Sequence, residues 1–240
     1  MGEWTEEFRY SVHNESMTDS EPFGTRPGIA ANAEPAPRAR GGRPRASSRR
    51  TLEDAASELF LEQGYARTTI DQIAQRAGVG RNTFFNYFAA KSDLLWLDAD
   101  ETIAALPGIL ERAPEDVHPS DALEHALTAL AARHPHGAVP IALSQREPMA
   151  TYDEFLSAGL GRYLAVGHAL AAFLTERVDD RVDPTIVRAA ANAATAAAAT
   201  AAGGWALKGV ERGDLAAEVA RAAGPVCRGF ATLLDPAPAD

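Results

Sequence analysis

The stretch that most restricts how this chain can fold is Thr68 to Lys91, TTIDQIAQRAGVGRNTFFNYFAAK. Ile70, Ile73, Ala74 and Ala77 recur at helical spacing, so one face of a short first helix is apolar. Thr69 precedes that face and Gln72 follows three residues later, a capping-box spacing that sets the helix start. Gly78 ends the helix, because glycine adopts the left-handed conformation of a C-terminal cap without steric penalty. Val79 turns back to the core, and Gly80 to Asn82 open a second short helix. There Phe84, Tyr87 and Phe88 are spaced to pack inward, leaving Arg81, Asn82, Thr83, Phe85 and Asn86 on the other face. Two helices joined by a tight turn, the second with Arg, Asn and Thr near its start, can set donors and acceptors against phosphates and base edges in a major groove. The plainer alternative is a helical hairpin whose polar face is only solvated.

The preceding segment, TLEDAASELFLEQG from Thr51 to Gly64, is an amphipathic helix with Leu52, Ala55, Ala56, Leu59 and Phe60 on one face and Gly64 as its stop. Three helices then share one aliphatic and aromatic core. With this segment in place, Ala55 to Leu95, AASELFLEQGYARTTIDQIAQRAGVGRNTFFNYFAAKSDLL, resembles the DNA-binding domain of the TetR family of transcriptional regulators. The resemblance rests on the first helix, the GY-x-x-TT link, the IA-x-x-AGV run, the aromatic-rich reading helix and the YF-x-x-K that follows.

Residue by residue, the resemblance implies the following roles. Thr69 contacts phosphate from the start of the second helix. Arg81, Asn82, Thr83 and Asn86 lie on the reading helix. Phe85 stands where the family often has Tyr, so one hydroxyl contact is missing. Tyr87 offers a hydroxyl to phosphate, and Lys91 touches the DNA backbone. Gly80 replaces the usual Ser or Thr, which removes another hydroxyl.

The net charge of −10 looks unsuited to a polyanionic partner until it is divided along the chain. Residues 38–91 hold ten Lys and Arg against five Asp and Glu, a balance of +5. Residues 92–240 hold eleven against twenty-one, a balance of −10. Such asymmetry suits a protein that presents one end to DNA. Residues 1–44, rich in Pro, Gly, Ser and charge, read as a disordered arm, within which Met17 is an alternative start. Six arginines lie between Arg38 and Arg50 with no acid among them. They form either an arm laid on phosphates or a minor groove, or a solvated linker. Arg45 and Arg49, beside the first helix, are the candidates for backbone contact.

The rest of the chain reads as helical, with no alternating strand pattern. A helix over Ser92–Arg112 is interrupted near Pro107, and others cover Pro119–Arg133, a short apolar piece in His134–Gln145, Met149–Val178, Pro184–Glu211 and Asp214–Leu234. In Met149–Val178 the expected core includes Phe155, Leu156, Leu160, Tyr163, Leu164, Leu170 and Phe173. Ile186 to Ala206 is nearly all alanine, the strongest helix former. Its small side chains suit either packing within the subunit or a two-fold contact. The resemblance places the last two helices in a four-helix dimer interface, with Ala197 and Ala201 one turn apart on that face. Gly203 and Gly204 point to a close backbone approach or a break.

Catalytic and metal motifs are missing. There is no phosphate-binding glycine loop, HExxH or CxxC, His134 and His136 are only two apart, and Cys227 is a single cysteine. No catalytic residue, metal ligand or cofactor is assigned, and the chain is not read as an enzyme. One cysteine, no membrane-spanning run and no secretory signal make a cytoplasmic protein the default. Large side chains scattered along the middle helices suggest a ligand pocket instead: Trp96, Tyr152, Phe155, Tyr163, His168 and Trp205, with Arg146 and Arg162 able to pair with an acidic ligand. The stretch FFNYFAAKSDLLWLDAD, with Trp96 just after KSDLL, is also similar to a TetR subgroup with acyl-CoA-like ligands that includes the mycofactocin-type regulators.

The sequence therefore predicts an all-α protein. It has a disordered arm over 1–44, a helix-turn-helix domain over 45–91 and a helical effector-binding and dimerisation domain over 92–236. The function it predicts is a homodimeric repressor released from a palindromic double-stranded DNA operator by a small-molecule, acyl-CoA-like effector. The rival readings are an activator, a regulator without an effector, and a helical enzyme or carrier that has acquired a DNA-binding module.

Overall fold

Ser48 and Leu52 open a helical face that continues through Ala55, Ala56, Leu59 and Phe60, all buried, on α1 (Arg45–Gln63). The computed structural model describes residues 45–145 and 151–235; the arm over 1–44, Arg146 and the last five residues lie outside the described residues. Among the described residues every regular element is helical. After α1 come α2 (Ile70–Arg76), α3 (Arg81–Phe85) and a 3-10 helix (Lys91–Leu95), then α4 (Leu97–Ile103) and α5 (Leu106–Leu110). The remaining elements are α6 (Pro119–Ala132), α7 (Ile141–Ser144), α8 (Tyr152–Thr175), α9 (Pro184–Leu207), a 3-10 turn (Gly209–Glu211), α10 (Leu215–Gly229) and α11 (Ala231–Leu234).

The local signals act as expected. The side chain of Thr69 accepts from the Gln72 amide while the Gln72 side chain accepts from the Thr69 amide, so two free donors at the start of α2 are satisfied reciprocally. Gly64 and Gly78 have φ of 81° and 67°, the left-handed conformation that stops α1 and α2. Pro107 sits in the first turn of α5, so the predicted interruption falls just before it, at Ala104 and Ala105. Asp183 and Asp214 cap α9 and α10 through side-chain acceptors.

Two apolar cores result. The first joins Leu52, Phe60, Ile73, Phe84 and Phe88 of the N-terminal helices. A fully buried Leu, Ile or Phe contributes about 1.5–3 kcal/mol, so these five side chains alone dominate the stability of so small a unit. This core runs past Lys91 to Leu94 and Leu95, and it takes in Ala142 of α7 and Phe155 of α8. The second core is built by α6, α8, α9 and α10 around Leu123, Leu170, Leu174, Ala190, Ala194 and Ala223.

Several expectations are corrected. Leu156, Leu160 and Leu164 are not core; they are 52%, 60% and 43% exposed. The inward stripe of α8 runs through Phe155, Val166, Leu170 and Phe173, and the leucines lie about 120° round the helix from it, on a side that the described residues leave exposed. Gly203 and Gly204 neither break α9 nor meet another backbone, since a Cβ at either would touch nothing. Ala197 and Ala201 are half-buried and pack partly against their own subunit's core; the exposed residues of α9 include Arg188, Ala189, Ala196, Ala199, Thr200, Gly204 and Leu207. Only Ile141–Ser144 of the predicted His134–Gln145 piece is helical.

Candidate functional sites: a reading helix and an apolar cavity

On α3 the inward residue is Phe84, fully buried and packed against Phe88 at 5.3 Å between ring centroids. That anchor leaves Arg81, Asn82, Phe85 and Asn86 exposed on one surface, with Thr83 and Tyr87 half-buried at its edge. Arg81 donates to Asp71 at 2.7 Å, and its guanidinium lies 5.4 Å from the Phe85 ring. Both partners are well exposed, so this ion pair stabilises the fold by well under 1 kcal/mol and is readily exchanged for a phosphate or a guanine edge. Phe85 lacks the hydroxyl that a tyrosine would bring, but its ring gives Arg81 a surface to lie along.

Thr69 is exposed beside this surface, with its hydroxyl engaged in the α2 cap. Arg49 donates to Glu53 and stands 5.8 Å from the Phe88 ring, on the same side of the three-helix unit as its aromatic core. Arg45 is the first residue of α1, and its side chain lies outside the described residues. Arg76 ties α2 to α1 through Glu58 and a two-pronged contact to Glu62, which holds the Glu62 carboxyl below its usual range. Sequence spacing did not signal that tie, because the partners lie on different helices.

Lys91, which the resemblance assigns to the DNA backbone, is engaged within the protein in this structure. Its ammonium donates to the carbonyls of Tyr65 and Thr68, each at 2.7 Å, and lies 3.9 Å from the Tyr65 ring centroid. Burial pushes its pKa down, opposed by the charge of Glu154. In this structure Lys91 is a clamp that fixes the link between α1 and α2 to the 3-10 helix.

The second site is an open-mouthed cavity of about 250 Å³ lined by residues of α4, α6, α7, α8, α9 and α10. Trp96, Phe155 and Tyr163 line it, as the sequence suggested. Tyr152 and His168 do not: both are exposed, Tyr152 at the first turn of α8 and His168 on the side away from the inward stripe. Arg146 lies outside the described residues. Arg162 lines the cavity but is not free for an acidic ligand. It grips Asp100 through two nitrogens at 2.5 and 2.6 Å, reaches Asp93 at 3.3 Å and donates to the Ala158 carbonyl. The bond to Asp100 raises its pKa further.

Trp96 stands between the two sites. Its indole stacks on Phe155 at 4.1 Å and 3°, and its N–H donates to the Phe155 carbonyl at 2.9 Å. The Arg162 guanidinium is 5.2 Å from the same ring. Phe155 belongs to the N-terminal core while also lining the cavity. The sequence reading missed Thr102, His134, Gly159 and Thr195 of the wall. A single glycine or threonine in an alanine-rich helix carries no signal of what faces it. Among the described residues no group of three or more His, Cys, Asp or Glu comes together to hold a metal ion, and no helix is long and apolar enough to cross a membrane.

Comparison with known proteins bears on both sites. Residues 52–95 match the family described as bacterial regulatory proteins, tetR family, and residues 117–231 match the MftR C-terminal domain. The chain is similar to the protein named as mycofactocin biosynthesis transcriptional regulator MftR in Mycobacterium tuberculosis, at 36% identity over 37% of this chain and 44% of that one. It is similar to the HTH-type transcriptional regulator HbdR of Aromatoleum sp., at 38% identity over 35% of this chain and 37% of the relative. These alignments span less than half the length of the curated relatives they match. Among solved structures, NalD, the secondary repressor of the MexAB-OprM multidrug efflux pump in Pseudomonas aeruginosa, is similar at 22% identity and a TM-score of 0.48, over 77% of this chain and 95% of that one.

Proposed function

This chain belongs to the TetR family of bacterial regulatory proteins, and on that premise we propose that it is a ligand-responsive repressor. In this reading two copies present their α3 helices to successive major grooves of a palindromic operator, spaced by one helical turn of roughly 34–36 Å. Arg81, Asn82 and Asn86 read base edges, while Thr69, Thr83, Tyr87 and Arg49 position the unit on phosphates. Lys91 contributes by holding the unit's own backbone.

The effector occupies the apolar cavity. An acyl-CoA-like compound, entering by its acyl chain, is the candidate that the likeness to the mycofactocin-type subgroup suggests. The observation that carries the reading is the double membership of Phe155, with Trp96 stacked on it. A molecule in the cavity touches the same ring pair that closes the core beneath the reading helix. Occupancy and the orientation of that helix are therefore coupled, as a free energy shared between the two sites.

The test is selection of bound duplexes from a random pool, followed by anisotropy titration of the selected operator with and without cavity-binding compounds. The reading expects operator affinity to fall at least tenfold with a compound bound. A compound shown to occupy the cavity that leaves operator affinity unchanged would end the effector-coupled mechanism. Failure to select any sequence would end the DNA-reading assignment.

A further inference from the structure

The polar groups of the cavity wall share one feature, which bears on the chemistry of the effector. Apart from one N–H of Arg162, each side-chain donor on the described wall is already committed inside the protein. The Trp96 N–H goes to the Phe155 carbonyl, and the Trp205 N–H to the Gly213 carbonyl at 2.6 Å. The Tyr163 hydroxyl donates to the Asn192 carbonyl at 3.0 Å, and the Thr195 hydroxyl to the Ala191 carbonyl at 2.7 Å. His134 lies between the Ala138 carbonyl on Nε2, at 2.5 Å, and the Thr102 hydroxyl on Nδ1, at 2.6 Å. Because a carbonyl only accepts, Nε2 carries a proton; the Thr102 hydroxyl has both Nδ1 and, at 3.2 Å, the Asp98 carbonyl in reach, so its single hydrogen is engaged within the wall. The one charged group, Arg162, is neutralised by Asp100 and Asp93.

The spare hydrogen-bonding capacity is of the opposite kind. A hydroxyl that has donated its hydrogen still has lone pairs, so the oxygens of Tyr163 and Thr102 remain acceptors. Short of breaking an existing bond, a carboxylate, phosphate or carbonyl placed here would find only the second N–H of Arg162 Nη1, on a guanidinium whose charge Asp100 and Asp93 already neutralise. Burying such an acceptor unpaired is costly, and an anion costs more still. An alkyl or aromatic body meets only apolar wall, and a hydroxyl on it can donate to a waiting oxygen.

We infer that the part of the effector that enters the cavity is uncharged and apolar, and that where this part carries a polar group it is a hydrogen-bond donor such as an alcohol rather than a carboxylate or a carbonyl, any charged head group staying outside. The inference rests on the cavity being the effector site and narrows what that site accepts. A cavity of about 250 Å³ has room for an alkyl chain or a ring system and not only for water. The shared chemistry, an apolar chain, is found both in a free alcohol and in the tail of a thioester, and the two differ at the head group.

The experiment uses the full-length chain and follows tryptophan fluorescence, since Trp96 and Trp205, two of the three tryptophans, line the cavity. The probes are 1-hexanol to 1-decanol, the n-alkanes and alkanoate anions of matching length, and octanoyl-CoA. Affinity for the alcohols should tighten about fourfold per added methylene until the cavity is full. The anion of equal length should bind at least tenfold more weakly than the alcohol. Tyr163→Phe combined with Thr102→Val should erase the advantage of alcohol over alkane while leaving alkane binding in place. Circular dichroism confirms that the double variant is folded, and Tyr163→Phe alone, which should lose part of the same advantage, serves if it is not.

Tighter binding of the alkanoate or of octanoyl-CoA than of the alcohol, abolished by Arg162→Met, would overturn the inference in favour of head-group recognition while leaving the effector site intact. Silence from every probe, with operator binding unaffected, would overturn the effector reading itself.

Discussion

A methyl group on Gly159 would lie 2.5 Å from Cζ2 of Trp96 and 2.9 Å from its Cη2, closer than side-chain atoms approach one another. Gly159 is thus the floor on which the indole rests, one turn along α8 from the Phe155 ring that stacks on it.

Gly159→Ala separates packing from helix propensity. Propensity alone makes alanine within a helix more stable than glycine by roughly 0.5–1 kcal/mol. Contact with Trp96 predicts the reverse, a loss of about 1–3 kcal/mol through overpacking. Urea unfolding should show the loss, and operator affinity should fall with it. Adding Trp96→Phe, a smaller ring, should restore both. Stabilisation by the single variant would mean that the indole is not held against this glycine.

Replacing Arg81, Asn82 or Asn86 by Ala should relax sequence preference as well as weaken binding. A good bidentate base contact contributes about 1–3 kcal/mol of discrimination against the wrong base. Anisotropy on the selected operator and on a random duplex measures the ratio. An equal loss on both duplexes would assign these side chains to phosphate only.

Lys91→Met should destabilise the fold by about 1–3 kcal/mol, because it leaves the Tyr65 and Thr68 carbonyls without their charged donor. The slope of log affinity against log salt should stay close to wild type. A direct phosphate contact would instead lower that slope by about 0.9, so the salt titration tells clamp from contact.

Alkaline pH should weaken the fold. Burial pushes Cys227 up to about 12 from 9.0 and Tyr65 up to about 12 from 10.0. Between those values the unfolded chain has released protons that the folded chain retains, so stability falls as pH rises from about 9 towards 12. Cys227→Ala should flatten the earlier part of the decline. Because the thiol is buried and neutral at pH 7, a thiol reagent should label it only as the protein opens. Labelling as fast as that of a free thiol would contradict its burial.

The homodimer is tested on α9. Ala189→Glu with Ala196→Glu places two charges on its outward face, away from the subunit's own core. If that face pairs two copies, buried unpaired charge should yield a folded monomer in sedimentation. A dimer that persists in this variant but is lost in Leu156→Asp with Leu160→Asp would move the contact to the exposed leucines of α8.

The sequence by itself determined the three-helix unit. Its signals are local: a cap three residues from its partner, glycines at forced left-handed turns and apolar residues at helical spacing. Such patterns fix backbone conformation and buried face within one or two turns, which is why Phe84 and the outward Arg81, Asn82 and Asn86 were legible. Only the tertiary structure decided what Trp96, Lys91 and Arg162 do. Lys91 meets a carbonyl 26 residues away, Trp96 one 59 away and Arg162 a carboxylate 62 away. Long, polar-tipped side chains take whichever partner the packing brings near, and linear spacing holds no record of that partner. The same reason hid the exposure of Leu160 and the role of Gly159: which face of a long apolar helix is covered depends on neighbours that helical periodicity alone does not place.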